Sequence, residues 1–461
     1  MQEAFEAVKN SSNSSDRFYI FFPNGEYDLG KTTGDATGQT FFYYPNVSFI
    51  GQNMDSVVLY NEPVATDEGI GTTPTLNFTT DADNIYMQDL TLLNKMDFRT
   101  GSFTGRAVAL RDQGDKSIFK NVKLLSNQDT YYTGTDRSYW ENGEIHGTVD
   151  FIFGGGDVYF NETNIFLEDR TNNHITAAAT QSDWGYVFNN CYIDGFETAN
   201  GNYKLGRPWQ NKPRTVYINT TMNILPAAEG WSTWNTIPGM YAEYNSVTPS
   251  GTPIDLSNRR SVYTTETDTV ELNPILTTEM AETFTIKNVL SGDDSWQPTL
   301  YTEQAPAPVI SSSNEFTWEN DDYVLGWAVF KDGVFQDFVT QNSYNTNNVE
   351  GTYYIRAANE MGGLGEPSIE IFVIGGNTDD NELDNIISVY PNPTHNILVL
   401  DFKKNITDGT IEIFTIEGQR IYSSDINNQK MEIDTSSFKS GNYFAYIKYG
   451  TKTIVKKIVK Q

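Results

Sequence analysis

Residues 1 to about 300 carry a short pattern that keeps returning: an aliphatic residue, an aromatic, any residue, then Asn or Gln. It appears as Ile85-Tyr86-Met87-Gln88, Ile118-Phe119-Lys120-Asn121, Val158-Tyr159-Phe160-Asn161, Val187-Phe188-Asn189-Asn190 and Val216-Tyr217-Ile218-Asn219. Another apolar pair follows about three residues on, such as Leu124-Leu125 or Ile165-Phe166, and successive starts lie roughly 30 to 40 residues apart. Short strands at that period, with an amide at a fixed offset, predict a parallel β-helix. In such a fold the aliphatics stack inside and the amides stack as a ladder at a turn. Loops of unequal length leave the coils and make the period uneven. A β-sandwich is the competing arrangement, but it calls for hairpin dipeptides such as Asn-Gly between strands, and few are present. Long amphipathic helices are scarce, with one short example predicted at the start, so the chain reads as all-β.

The character changes around Tyr301 to Ser313, where Gln304-Ala305-Pro306-Ala307-Pro308 reads as a linker. Beyond it, segments around Phe316, Val324 to Phe330 and Tyr353 to Ala358 alternate at period two and are joined by turns. A small β-sandwich over 303–375 fits, and it resembles the fibronectin type III modules. A spacer is the plain reading of it; sugar binding through Trp318 or Trp327 is the other. Residues 376–388 form an acidic linker. The segment 389–461 reads as a second small sandwich. It opens on Val389-Tyr390-Pro391-Asn392-Pro393, passes through Gly441-Asn442-Tyr443-Phe444 and ends in a Lys-rich strand. Those pieces resemble the C-terminal sorting domain of the type IX secretion system. The resemblance implies a partner in that machinery and a secreted or surface-attached protein of a Gram-negative cell.

The chain has 461 residues, enough for two or three domains, and is 38% hydrophobic and 13% aromatic, enough for a large core. Its net charge of −29 leaves no basic stripe to neutralise phosphates, so nucleic acid is not expected as a partner. The acidity would also repel a polyanionic substrate unless the groove carries local positive charge. The single Cys191 permits no intrachain disulfide and is expected to be buried and inert. No apolar run reaches the ~18 residues of a membrane span. The abrupt start in Met1-Gln2-Glu3-Ala4-Phe5 carries no visible signal peptide, which leads to the expectation of missing upstream sequence. A monomer is expected.

Chemistry concentrates between Gln128 and Gly154. Asp129 follows Gln128, and Asp150 is wrapped by Val149, Phe151, Ile152 and Phe153. A carboxylate in such surroundings has to be paired, hydrogen-bonded or shifted in pKa. The two acids lie about 21 residues apart, roughly one coil of a right-handed parallel β-helix. On successive coils their backbones would be about 4.8 Å apart. They would then titrate as a pair, one ionised and one protonated, giving a nucleophile or base beside an acid. Leu205-Gly206-Arg207-Pro208-Trp209 offers a fixed cation able to hold one carboxylate in a bidentate fork, and a flat ring for a sugar. No Gly-x-Ser-x-Gly elbow, zinc spacing or glycine-rich phosphate loop is present, and His174 reads as structural. No metal or cofactor is expected.

With Gly25-Glu26-Tyr27, Ala107 to Arg111, Gln128-Asp129-Thr130, Gly147 to Gly154, Leu205 to Trp209, Gly230 to Trp234 and Ala242-Glu243-Tyr244, residues 1–302 resemble the pectin methylesterases, right-handed parallel β-helical carbohydrate esterases. The resemblance implies hydrolysis of methyl esters of homogalacturonan (pectin), without metal. Asp150 then matches the nucleophile, Asp129 the acid and later base, Gln128 an oxyanion donor, Arg207 the partner of the nucleophile and Trp209 a sugar-contacting ring. Where the family often has a second oxyanion glutamine, this chain has Arg106, able to donate as a charge, to bind a neighbouring free galacturonate carboxylate, or to pair with Asp129 or Asp150 and alter their pKa values. The rival readings are another β-helix pectin enzyme (a lyase or glycosidase) and a non-catalytic pectin-binding surface protein.

Overall fold

Rings and branched aliphatics that recur once per coil stack on one another, and those stacks are the core of the first 300 residues. Phe119 stacks on Trp140 with centroids 4.6 Å apart, Phe160 on Phe188 at 4.4 Å, and Phe188 on Tyr217 at 4.4 Å. A second column of Leu59, Leu92, Leu124, Ile145, Ile165, Ile193 and Met222 follows from the pairing register of the neighbouring strands. The inward column thus falls on the aromatic position of the repeat at Phe119, Phe188 and Tyr217, and one residue later at Met87 and Phe160, where stacked aliphatics were expected. Face-to-face rings of this kind add about 0.5–1.5 kcal/mol per pair beyond their burial.

The structure is a computed structural model, and it describes residues 2–11, 16–30, 38–61, 74–96, 106–310, 315–319, 324–373, 387–403, 409–416, 418–449 and 452–461. The chain divides into two compact units. One comprises Met1–Pro306, Tyr323–Leu325 and Ala357–Glu366, and the other Ala307–Asp322, Gly326–Arg356 and Pro367–Gln461. Most of the acidic linker lies outside the described residues, and a strand already begins at Ile387.

The first unit is a right-handed parallel β-helix. One face is a seven-stranded parallel sheet. In spatial order it runs Lys204–Pro208, His174–Ala178, Val149–Gly154, Tyr131–Thr133, Leu110–Asp112, Leu76–Phe78 and Thr40–Phe42. The other faces form a 15-stranded parallel assembly, joined where Tyr86–Asn94 and Ser117–Leu125 bend across two faces. Partner numbers give coil length directly. Tyr139 lies opposite Ile118 and Tyr159 opposite Tyr139, which are short coils. Ile118 lies opposite Tyr86 and Val187 opposite Tyr159, which are longer ones.

The expected ladder exists, and its physical basis is a left-handed backbone position rather than the amide alone. Asn121, Asn142, Asn190, Asn219 and Asn245 all have φ between 49° and 54°, and Asp89 and Glu162 take the same place in their coils at 57° and 53°. Asn tolerates this conformation best. Asn121 Nδ2 donates to Asp89 Oδ1 at 2.8 Å, and Asn245 Nδ2 to Asn219 Oδ1 at 2.8 Å. Gln88 and Asn161, chosen by the sequence pattern, stand one residue earlier.

The helix Gln2–Ser11 lays Phe5 edge-on against Phe42 at 5.0 Å. Near the opposite end, Glu243 and Arg259 are almost fully buried together. Arg259 Nε donates to Glu243 Oε1 at 2.5 Å and its Nη1 to the Ala228 carbonyl at 2.9 Å, while Ser246 donates to the second carboxylate oxygen at 2.9 Å. Cys191 is buried, its thiol pushed up to about 12 by burial, in keeping with an inert residue.

His146 on the outer wall sits between two acids, Nε2 2.6 Å from Glu144 and Nδ1 2.8 Å from Glu168, and stacks on Phe166. Burial alone would lower its pKa, but the two carboxylates outweigh it and the net shift is upward. A histidine raised on folding stabilises fully below its unfolded pKa, and that contribution fades as pH rises through the folded value. His146→Gln is therefore expected to flatten the decline in unfolding free energy above pH ~6.5. Urea titrations at a series of pH values would show it, and an unchanged slope would refute it.

In the second unit, Gly326–Lys331 pairs antiparallel with Val334–Val339, and Glu315–Thr317 with Ser343–Asn345. Trp318 and Trp327 are 4% and 3% exposed and pack edge to face at 5.5 Å, so neither ring is open to a sugar and that reading is withdrawn. The last segment is a sandwich of a three-stranded and a four-stranded antiparallel sheet around Leu398, Leu400, Ile411, Ile413 and Ile447. Among the described residues no helix is long and apolar enough to cross a membrane.

Candidate active site

The two acids sit at the N-terminal ends of neighbouring strands. Tyr131 lies opposite Ile152, a register that extended backwards sets Asp129 beside Asp150. The Asp129 amide donates to the Val149 carbonyl at 3.1 Å, so the coils are in contact at the acids themselves. Both residues have left-handed backbone, with φ 66° and 53°. The register between Val149–Gly154 and His174–Ala178 shifts between Val149 and Ile152, a bulge that falls on Asp150. Bulges re-aim a side chain, and here they turn a carboxylate out of a strand whose neighbours face the core. Gly147 permits the turn, because a Cβ there would sit 2.2 Å from that of Phe151.

Arg207 reaches Asp150 from two strands away. Its Nε donates to Oδ1 at 2.7 Å and its Nη2 donates to Oδ2, a bidentate fork. Its open face is covered by Trp234, whose ring centroid lies 4.0 Å from the guanidinium carbon. The Trp234 loop is tied down on both sides. His174 Nε2 lies 3.0 Å from Ser232 Oγ, Ser232 N donates to the Gly206 carbonyl at 3.0 Å, and Thr236 donates to the Asn211 carbonyl at 2.7 Å. His174 is held neutral at ordinary pH: burial and the Arg207 charge push it down to about 4. It is thus a structural strut, as read from the sequence.

Asp129 and Asp150 are 7% and 6% exposed, and this decides their electrostatics. Burial pushes Asp129 up to about 7, the neighbouring Asp150 adds to the rise, and Arg106, Gln128 and Arg207 oppose it. Asp150 is raised by burial too, but the Arg207 fork and charge, with Arg170, work against that rise. The first proton is therefore lost at Asp150 and the second is retained by Asp129.

Arg106 and Gln128 lie on successive coils in a parallel bridge, with Ala107 N donating to the Gln128 carbonyl at 2.9 Å. Arg170 approaches Gln128 Oε1 at 3.5 Å. Beside the acids, Tyr132 stacks on Phe153 at 4.3 Å, and Trp209 leans on Phe153 at 5.9 Å. Tyr132 and Trp209 border a cleft of about 470 Å³. All six residues singled out from the sequence thus belong to one region. Sequence reasoning gives no role to Tyr132, Arg170 or Trp234, and takes Phe153 only as part of the apolar wrapping of Asp150. Another buried acid, Asp112, is pushed up to about 6 by burial, but Ser117, Ser138 and Tyr131 donate to it and it is satisfied inside the coil. Among the described residues no cluster of His, Cys, Asp or Glu is fit to hold a metal ion.

A family profile described as Pectinesterase matches residues 1–293, and one described as Secretion system C-terminal sorting domain matches residues 388–461. The Arabidopsis thaliana protein named probable pectinesterase/pectinesterase inhibitor 64 is 30% identical over 274 residues, which are 54% of this chain and 43% of that protein. Across the first four such relatives the chain spans between 27% and 56% of their length. Among solved structures, a pectin methylesterase mutant in complex with a hexasaccharide is 25% identical with a TM-score of 0.50, covering 64% of this chain and 93% of that one. Pectin methylesterase from carrot shares the fold at 21% identity and a TM-score of 0.53, covering 66% and 92%.

Proposed function

The chain belongs to the pectinesterase family, and we propose that its β-helix hydrolyses methyl esters of galacturonosyl units in pectin, releasing methanol and leaving free carboxylates. The observation that carries this is the pair of buried carboxyls on adjacent coils, one gripped by a guanidinium and the other holding its proton to about pH 7.

Asp150 attacks the ester carbonyl, its oxygen bonding to carbon while the C–OCH3 bond breaks. Asp129 gives its proton to the departing methanol. Asp129, now a carboxylate, takes a proton from water, and the hydroxide cleaves the anhydride to return Asp150 as a carboxylate. Gln128 donates to the oxyanion, and Arg106 donates to it as a cation. Arg207 holds Asp150 ionised, and Trp209 offers its ring to the sugar.

Methanol release across pH tests the scheme. Activity is expected to fall as pH rises through about 7, where Asp129 loses its proton, and to fall on the acid side as Asp150 gains one. Because the Arg106 charge holds Asp129 down, Arg106→Gln is expected to move the alkaline limb upward. A limb that stays in place would remove Arg106 from the site. Unsaturated ends or new reducing ends in place of methanol would instead favour a lyase or a glycosidase. Pectin binding without turnover would leave the non-catalytic reading.

We also read residues 303–375 as a fibronectin type III-like spacer and 389–461 as the part handed to a type IX secretion machinery, giving a secreted or surface-attached monomer. Deleting the tail should leave the protein inside the cell envelope, as fractionation would show.

A further inference from the structure

The outward-facing residues of the seven-stranded sheet form a row across the coils. Its register runs Asn77, Arg111, Tyr132, Phe153, Ala177, Arg207. Two arginines stand in this row, and they are treated differently. Arg207 is engaged by Asp150 on its edge and Trp234 on its face. Arg111 lies with its guanidinium carbon 4.6 Å from the Tyr132 centroid. Among the described residues it makes no ion pair, and its Nε is buried with no hydrogen-bond partner. In a chain with 60 acidic and 31 basic residues, a half-buried cation without a carboxylate is an unusual arrangement. A buried guanidinium donor left unmade costs its desolvation.

Arg111 borders the cleft of about 470 Å³, together with Gln113, Tyr132, Thr135, Trp209 and Gln210. It is one strand spacing, about 4.8 Å, from the strand of Tyr132, and about three residues, roughly 10 Å, along the strands from the acid pair. This places it against a neighbouring sugar of a polymer whose ester lies at Asp150. The ring of Tyr132 beneath fixes the guanidinium plane, leaving its edge for a planar acceptor.

We propose that Arg111 forms a subsite for the free carboxylate of an already de-esterified galacturonate unit. The inference rests on the esterase reading of the adjacent acids. The cleft then selects, within pectin, stretches where a free acid adjoins a methyl ester. It also supplies the local positive charge that a protein of net charge −29 needs to hold a polyanion.

The test is calorimetric titration of the full chain with trigalacturonate, for the parent, Arg111→Gln and Arg111→Lys. Loss of a charge-assisted fork is expected to weaken binding by about 10–100-fold in Arg111→Gln. Arg111→Lys should recover part of it as a point charge, and the difference should shrink with added salt. In methanol release, the kcat/KM ratio of half-methylated to fully methylated pectin should fall in Arg111→Gln through a raised KM. Equal trigalacturonate affinity in parent and Arg111→Gln would overturn the proposal and leave Arg111 as a cover for Tyr132. Should the parent release no methanol from any pectin, the esterase reading fails, while the titration still decides whether Arg111 binds a uronate.

Discussion

Asp150→Asn is expected to lower methanol release by roughly 10⁴-fold or more, with the protein still folded. The amide keeps the shape of the carboxylate and can still accept a bond from Arg207, but it is no nucleophile. At Asp129 stability should move the other way. An acid whose pKa is raised on folding binds more protons in the folded state, so folding stability falls as pH climbs from the unfolded to the folded value. For Asp129 that window runs from about 4 to about 7. Removing the Asp129 carboxyl removes that cost, so Asp129→Asn should match or exceed the parent in thermal unfolding at neutral pH, whereas Asp150→Asn also takes the counter-ion from Arg207. The loss of activity in Asp129→Asn then cannot be ascribed to unfolding. Methanol release within tenfold of the parent in Asp150→Asn would end its role as nucleophile.

The largest stability effect is expected at Glu243→Ala, about 3–5 kcal/mol. Glu243 has no exposed surface, and its partner Arg259 is 2% exposed on its side chain. Truncating the acid leaves a buried guanidinium that keeps its bonds to the Ala227 and Ala228 carbonyls but has its charge unanswered. Glu243→Gln, which keeps a hydrogen-bond acceptor but not the charge, should cost less. Denaturant titration of the two variants separates the contributions. A loss below about 1 kcal/mol for Glu243→Ala would mean that Arg259 finds water on relaxation.

Much of the site could be read from the chain because its chemistry is local or spaced by one coil. Gln128-Asp129 and Val149 to Gly154 are contiguous, and their separation is a coil, so the meeting of the two acids follows from period alone. Arg207 was legible as a fixed cation beside Pro208, able to fork one carboxylate, and the structure sets it on Asp150. Trp234 over Arg207 was not, because nothing in sequence links a loop residue to a guanidinium on a strand. The bulge at Asp150 was hidden for a related reason: pairing irregularity depends on both partners. The repeat was legible where an aliphatic leads an aromatic. It failed at Ser138-Tyr139-Trp140-Glu141-Asn142, which opens on a hydroxyl and begins a short coil, although Trp140 stacks in the same column as Phe119. The offset slipped at Gln88 and Asn161 because Asp89 and Glu162 adopt the left-handed turn that Asn occupies elsewhere.

The strand Tyr131–Thr133 is the fourth of seven in its sheet, with three strands on either side. In a stack where each coil touches only its neighbours, thermal fraying starts at the two ends and works inward. The acid pair therefore lies where loosening arrives last. On heating, the outer coils are expected to lose order first, and the groove shortens from both sides while the paired carboxyls stay in register. Under the proposed esterase function, such a molecule would lose its hold on long polymers before its chemistry on short oligomers, and substrate length would become a thermometer for how many coils remain.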